Sequence, residues 1–163
     1  MTARARLLTT AALLFATSQL LHAQNPPIYT RETAKAVVDA LDDAEFAITD
    51  RNFRVTGRLH IGQAIRERGD GAFPEFEVIL FCNLNYAEQM LRLNPDYVNY
   101  CPAKVTIREA GNRVVISAPL IPVTAADERL NDLVNRLNSL LREIVDYAAR
   151  EWSPAVDSRG QGR

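Results

Sequence analysis

The chain has 163 residues, 47% hydrophobic and 24% charged, with 19 Lys plus Arg against 20 Asp plus Glu, 7 Gly, 8 Pro and 2 Cys. That balance excludes a strongly basic nucleic-acid binder, a charged disordered chain, a collagen-like repeat and a disulfide-dense mini-protein. It fits one globular domain of ordinary composition.

The first element is an address. Arg4 and Arg6 precede an apolar run from Leu7 to Leu21 that ends at Leu21-His22-Ala23, the order of a secretory signal peptide with cleavage after Ala23. The run is about 15 residues long and is interrupted by Thr and Ser, whereas a membrane span needs about 20 apolar residues. No stable membrane insertion is expected after cleavage, and the protein is expected to be periplasmic or secreted. Removing residues 1–23 takes away two of the basic side chains and no acidic one, so the remainder is mildly acidic.

Residues 24–29, with Pro26 and Pro27, read as an extended lead-in. From Thr30, a candidate N-cap, Ala34, Val37, Val38, Leu41 and Ala44 recur at helical spacing. Phe46 and Ile48, then Phe53 and Val55, alternate with other residues and predict two strand segments around Asp50-Arg51-Asn52. Gly57 closes that stretch, and His60 to Arg68 predicts a short helix ended by Gly69.

Phe76 to Cys82 contains the continuous apolar run Val78-Ile79-Leu80-Phe81, which predicts a strand covered on both faces at the centre of a sheet. A helix follows through Tyr86, Met90 and Leu91 and is stopped by Asn94-Pro95. Val105 and Ile107, then Val114 and Ile116, form two β-rich runs around Gly111-Asn112, the signal of a tight antiparallel hairpin. Thr124 with Asp127 supplies a capping box for the longest helix, whose Leu130, Leu133, Val134, Leu137, Leu140, Leu141, Ile144, Val145 and Ala148 form a stripe at spacings of three and four. Arg129, Arg136, Arg142 and Glu143 occupy its other face, so the stripe is assigned to packing. Residues 153–163 read as a disordered tail. The expectation is one α+β domain over residues 30–152, with a mixed or antiparallel sheet of about four strands packed by helices and a long C-terminal helix.

Candidate chemistry is sparse. Once His22 is removed, His60 is the one histidine, and Cys82 and Cys101 are the two cysteines. Zinc-ligand spacings, Cys-x-x-Cys, and the glycine-rich, nucleophile-elbow and His-Glu-x-x-His signatures are all absent. No signature names a cofactor, and no nucleophile and base pair marks a hydrolase.

Two cysteines in an exported protein favour a structural disulfide, which would close a loop of about 20 residues and stabilise the fold by about 3 kcal/mol. Cys82 ends one predicted strand and Cys101 precedes the next, so the pair meets only if those strands run antiparallel. The alternatives are two thiols binding a soft ion such as Cu(I), inert buried thiols, or intermolecular pairing.

His60 reads as a general base or ligand on the one hand and an exposed or capping side chain on the other. Arg51, Arg54, Arg58, Arg66 and Arg68 form an arginine-rich stretch, suited to an anion or carboxylate or simply to a solvated face. Asn83 follows a buried strand, where ligand contacts and turn-forming residues both occur. Tyr97 and Tyr100 are candidates for a pocket wall or for core cover.

The order of elements, with Phe81 and Asn83 at the end of the central strand, Asn94-Pro95 after the helix, Pro102 before the next strand and Gly111 at the hairpin tip, resembles the DUF302 family over roughly residues 31–122. The resemblance implies a compact α+β fold able to form a homodimer, and no particular activity. Cys82 stands where that family usually has Gly, and Leu84 where Pro often follows. Gly57 to Arg68 and Phe81-Cys82-Asn83-Leu84 look like an exported sub-branch. The expectation for function is therefore an exported module binding a small ligand, anion or other ion near His60, Asn83 and Arg54, stapled by Cys82 and Cys101, with no nucleic acid as partner. A thiol/disulfide or soft-metal redox protein using Cys82 and Cys101 is the alternative, and a structural or interaction subunit the second.

Overall fold

The computed structural model describes residues 27–69, 71–123 and 127–151. The expected signal peptide, Thr124 of the expected capping box and the expected tail from Ser153 lie outside them. Five strands, β1 (Ile28–Thr33), β2 (Arg54–His60), β3 (Phe76–Cys82), β4 (Ala103–Ala110) and β5 (Arg113–Pro119), form one sheet in the order β1-β5-β4-β3-β2. Every neighbouring pair is antiparallel. The helices are α1 (Val37–Asp50), α2 (Ile61–Arg66), α3 (Leu84–Leu93) and α4 (Glu128–Ala149), with a 3-10 turn at Pro95–Tyr100. The chain is thus the single α+β domain expected, with five strands and a long C-terminal helix.

Burial on one face of the sheet explains the layering. Ile79 and Phe81 on β3, Val105 and Ile107 on β4, and Ile116 and Ala118 on β5 are fully or almost fully buried, at the period of two that strand geometry requires. Across from them, Ala40, Ala44, Ala47 and Ile48 on α1 join the Leu130–Ala148 stripe of α4. The small alanines let α1 approach α4 and the sheet closely. At the head of α4, Asp127 is itself the N-cap, its side chain accepting from the N–H groups of Arg129 and Leu130 at 2.9 and 3.3 Å.

The strand expected to be covered on both faces at the centre of the sheet, β3, is fourth of five, with only alternate residues buried. Two of the predicted element boundaries also need correction. Phe46 to Thr49 is not a strand but the last turns of α1. The alternation of Phe46 and Ile48 coexists with helical spacing from Ala44 through Ala47 to Ile48, and packing favours the helix: Ile48 is buried while Phe46 stacks outside on Tyr147. The stop is conformational. Asn52 adopts φ 59°, the left-handed geometry that Asn tolerates better than most residues. Phe53 N–H then bonds Ile48 C=O at 3.1 Å and Asn52 N–H bonds Thr49 C=O at 3.0 Å, the two bonds of a Schellman ending with an apolar residue just beyond it.

The second correction concerns the expected lead-in and Thr30 cap. Ile28 to Thr33 is an edge strand paired with β5, and α1 begins only after Ala36. An edge strand exposing most of its side chains shows no hydrophobic alternation, so its pairing is written in the partner. Tyr29 secures it to α4: its hydroxyl donates to Asp146 at 2.9 Å, and the guanidinium groups of Arg31 and Arg142 lie 4.4 and 4.7 Å from the ring centre. β2 also runs past Gly57 to His60, with a register shift between Val55 and Gly57.

Candidate functional site

The sheet places chemistry at one end. There the left-handed turn after α1 opens β2, and the end of β3 leads into α3. Arg54 is the cross-strand partner of Cys82, and β3 and β4 run antiparallel, so the chain returning along β4 starts beside Cys82. The geometric condition for the cysteines to meet is thereby satisfied. Their sulfur atoms face each other at 2.8 Å with both residues half-buried and not covalently joined. Burial, together with the contact to Cys101, pushes the Cys82 thiol up to about 11.

Two concavities share Cys82. The inner one is a largely apolar cavity of about 30 Å³ between the sheet end and the helices, lined by both cysteines with Phe53, Met90, Tyr100 and Leu141 among others. It has room for about one water. The outer one is an open cleft of about 770 Å³ whose lining includes Arg51, Arg54 and Arg136, with Asn83, Gln89 and Cys82. Cys101 lines the inner cavity and not the cleft.

The three guanidinium groups differ. Arg51 is committed to the fold, donating to Glu143 at 3.1 Å and to Ala47 C=O at 3.0 Å. Among the described residues neither Arg54 nor Arg136 has a carboxylate partner, and Arg136 Nε makes a long 3.4 Å bond to the Asp132 carbonyl. Their charge is therefore open to an incoming anion. Asn83 holds the cleft's geometry: Oδ1 accepts from the N–H groups of Asn85 and Tyr86 at 3.0 and 3.3 Å, capping α3, while Nδ2 donates to Asn52 C=O at 2.9 Å. It ties the head of α3 to the turn that carries Arg51 and Arg54.

Of the expected site residues, Arg54 and Asn83 come together and His60 does not. His60 ends β2 while Arg54 begins it, six steps or about 20 Å along an extended strand. There His60 Nδ1 lies 2.7 Å from Glu77 Oε2, and Glu77 is buried. The arginine-rich stretch also divides: Arg58 pairs with Glu45, and Arg66 pairs with Glu75 at 2.5 Å and bonds Phe73 C=O at 2.9 Å. Tyr97 is core, its hydroxyl donating to Pro122 C=O at 3.2 Å, whereas Tyr100 lines the inner cavity. Arg136 is the member that sequence reasoning missed. It sits on the polar side of α4, three residues from Leu133, and no local signal distinguishes it from other solvated arginines. Among the described residues no group of three or more His, Cys, Asp and Glu side chains is arranged to hold a metal ion, and no helix is long and apolar enough to cross a membrane.

Comparison with known proteins adds a fold and a family. The family model "Domain of unknown function DUF302" matches residues 29–148. No curated protein matches the chain. A solved structure, an uncharacterised conserved DUF302 protein from Bacillus stearothermophilus, is similar at a TM-score of 0.66 and 17% identity, covering 76% of this chain and 98% of that one. At that identity the likeness is one of fold.

Proposed function

The chain belongs to the DUF302 family, and we propose that it is an exported module that binds a small anionic ligand in the cleft at the end of the sheet. The single observation that carries the reading is the convergence of Arg54 and Arg136, neither with a carboxylate partner among the described residues, on one open concavity. Arg binds carboxylate and phosphate through two parallel N–H bonds. Gln89 in the same lining supplies a further polar edge, whereas the Asn83 amide is committed to the scaffold. Export is supported by Arg4, Arg6 and the apolar run ending at Ala23. Within this reading Cys82 and Cys101 form a disulfide in the oxidising compartment, supported by their facing sulfur atoms.

A thermal titration tests the site. Citrate and inorganic phosphate are expected to raise Tm saturably, beyond chloride at equal ionic strength, because a ligand of the native state stabilises it by mass action. Arg54→Ala combined with Arg136→Ala is expected to remove the shift. No shift in the native chain, or an equal shift in the double variant, overturns the reading.

A further inference from the structure

We propose that Cys82 is a thiol–disulfide exchange site for low-molecular-weight thiols that carry carboxylates, gathered in the cleft by Arg54 and Arg136. The inference rests on the anion-binding reading of that cleft and adds a covalent step to it. Its ground is an asymmetry between the two sulfur-bearing residues. Cys82 lines both concavities, whereas Cys101 lines only the inner, mainly apolar one. A solute held in the cleft therefore meets Cys82 and not Cys101.

The cleft also selects the solute. Arg54 lies directly across the strand pair from Cys82, and Arg136 completes a cationic wall at the same depression. A small thiol bearing carboxylates would be drawn there, and nearby guanidinium groups favour its thiolate form. A cationic thiol would be repelled. Neutral thiols would arrive by diffusion alone.

With the pair oxidised, the thiolate of the small molecule attacks Cys82 Sγ. A new sulfur–sulfur bond forms between them, the Cys82–Cys101 bond breaks, and its electron pair leaves on Cys101 Sγ, which takes a proton from water. One thiol is oxidised to the mixed disulfide and Cys101 is reduced, so the step needs no outside oxidant. Cys101, whose sulfur lies 2.8 Å from Cys82 Sγ, is placed to reverse it. With the pair reduced, the same mixed disulfide arises when the Cys82 thiolate attacks the disulfide of the small molecule and expels one thiol. That route is the slower one, because burial and the Cys101 contact keep the Cys82 thiol protonated at neutral pH.

The test uses the full chain with glutathione, which carries two carboxylates, and neutral 2-mercaptoethanol. Reactions are quenched in acid, alkylated and mapped by peptide mass. The expected result is one glutathione per chain, on Cys82. The rate with glutathione relative to 2-mercaptoethanol is expected to fall on the order of tenfold in the Arg54→Ala, Arg136→Ala double variant, the loss of about one charge-assisted contact. If the isolated chain alkylates at two thiols without reductant, glutathione disulfide replaces glutathione, and the same site and the same arginine dependence are expected. Cys101→Ser, whose Cys82 stands alone, is expected to accept glutathione from glutathione disulfide. Cys82→Ser is expected to leave Cys101 unmodified.

A glutathione adduct on Cys101 in the native chain, or a rate ratio unchanged in the double arginine variant, overturns the proposal. Anion binding is scored separately by the citrate and phosphate titration. A titration that succeeds while exchange fails leaves the binding site standing and removes only the covalent step. A titration that fails while Cys82 is modified without arginine dependence overturns both the binding site and the gathering role.

Discussion

Asn138 on α4 engages the backbone of Ile121 in both directions: its Oδ1 accepts from the Ile121 N–H at 2.8 Å, and its Nδ2 donates to the Ile121 C=O at 2.9 Å. Asn138 is thus a polar residue inside the helix stripe that fixes the segment leaving β5 against α4. Replacing it by Leu would leave two buried backbone groups without partners, each costing about 1–3 kcal/mol. Asn138→Leu is expected to destabilise the fold by about 2–4 kcal/mol, read as a lowered midpoint in urea with an unchanged slope.

Gly62 on α2 gives a sign test. In an exposed helix interior, Gly→Ala stabilises by up to about 1 kcal/mol. Here a Cβ would sit 2.5 Å from the Pro74 carbonyl oxygen and 2.8 Å from the Phe76 nitrogen. Both obstacles are backbone, one at the start of β3 and one in the segment leading into it, so neither can rotate away. Gly62→Ala is expected to destabilise by about 2 kcal/mol or more. A gain in Tm would contradict the close seating of α2 on β3.

Arg51 and Arg54 line the same cleft but should behave differently. Arg51→Ala removes the Glu143 pair and the bond to Ala47 and is expected to cost about 0.5–1 kcal/mol of stability. Its effect on citrate affinity should be the smaller. Arg54→Ala is expected to leave the urea midpoint almost unchanged while weakening citrate binding on the order of tenfold, the loss of one charge-assisted contact. Calorimetric titration of both variants checks the division.

His60→Ala removes the partner of a buried carboxylate, Glu77. A buried acceptor left unpaired costs about 1–3 kcal/mol, so the variant is expected to unfold at lower urea. Citrate affinity should stay within about twofold of the native value, because six strand steps of about 3.3 Å separate His60 from Arg54.

Acid should loosen the fold through two carboxyls. The Arg129 side chain and the Leu130 N–H hold Asp127 below its usual value of 3.8, and the Ala34 N–H and the Thr33 hydroxyl hold Glu151 below 4.5. A group whose folded value is depressed contributes stability above its unfolded value and loses it as pH falls through the folded one. Stability from these two groups is therefore expected to be full above about pH 5 and to decline as pH drops below 4.5. Asp127→Asn and Glu151→Gln should each flatten that acid-side decline in urea unfolding followed across pH.

Local pattern by itself determined the α+β class, the β3–α3 unit, the β4–β5 hairpin around Gly111-Asn112 and the packed stripe of α4, because each is a long periodic run or a turn with its own chemistry. It also named Arg54, Asn83 and Cys82 as candidates, but their meeting at one end of the sheet depends on the antiparallel pairing of β2 with β3. Tertiary structure decided the rest. Phe46 to Ile48 fits two periods, and only the burial of Ile48 beneath the left-handed Asn52 selects the helix. Edge strand β1 exposes most of its side chains, so β5 had to identify it. His60 left the site because β2 extends past Gly57 and carries it to the far end of the sheet. Arg136 entered because α4 packs against α1 and α3, the helices that adjoin the start of β2 and the end of β3, which brings residues 82 positions apart into one cleft. A sequence encodes the period and capping of each element locally, whereas the meeting of guanidinium groups from two elements depends on how those elements pack.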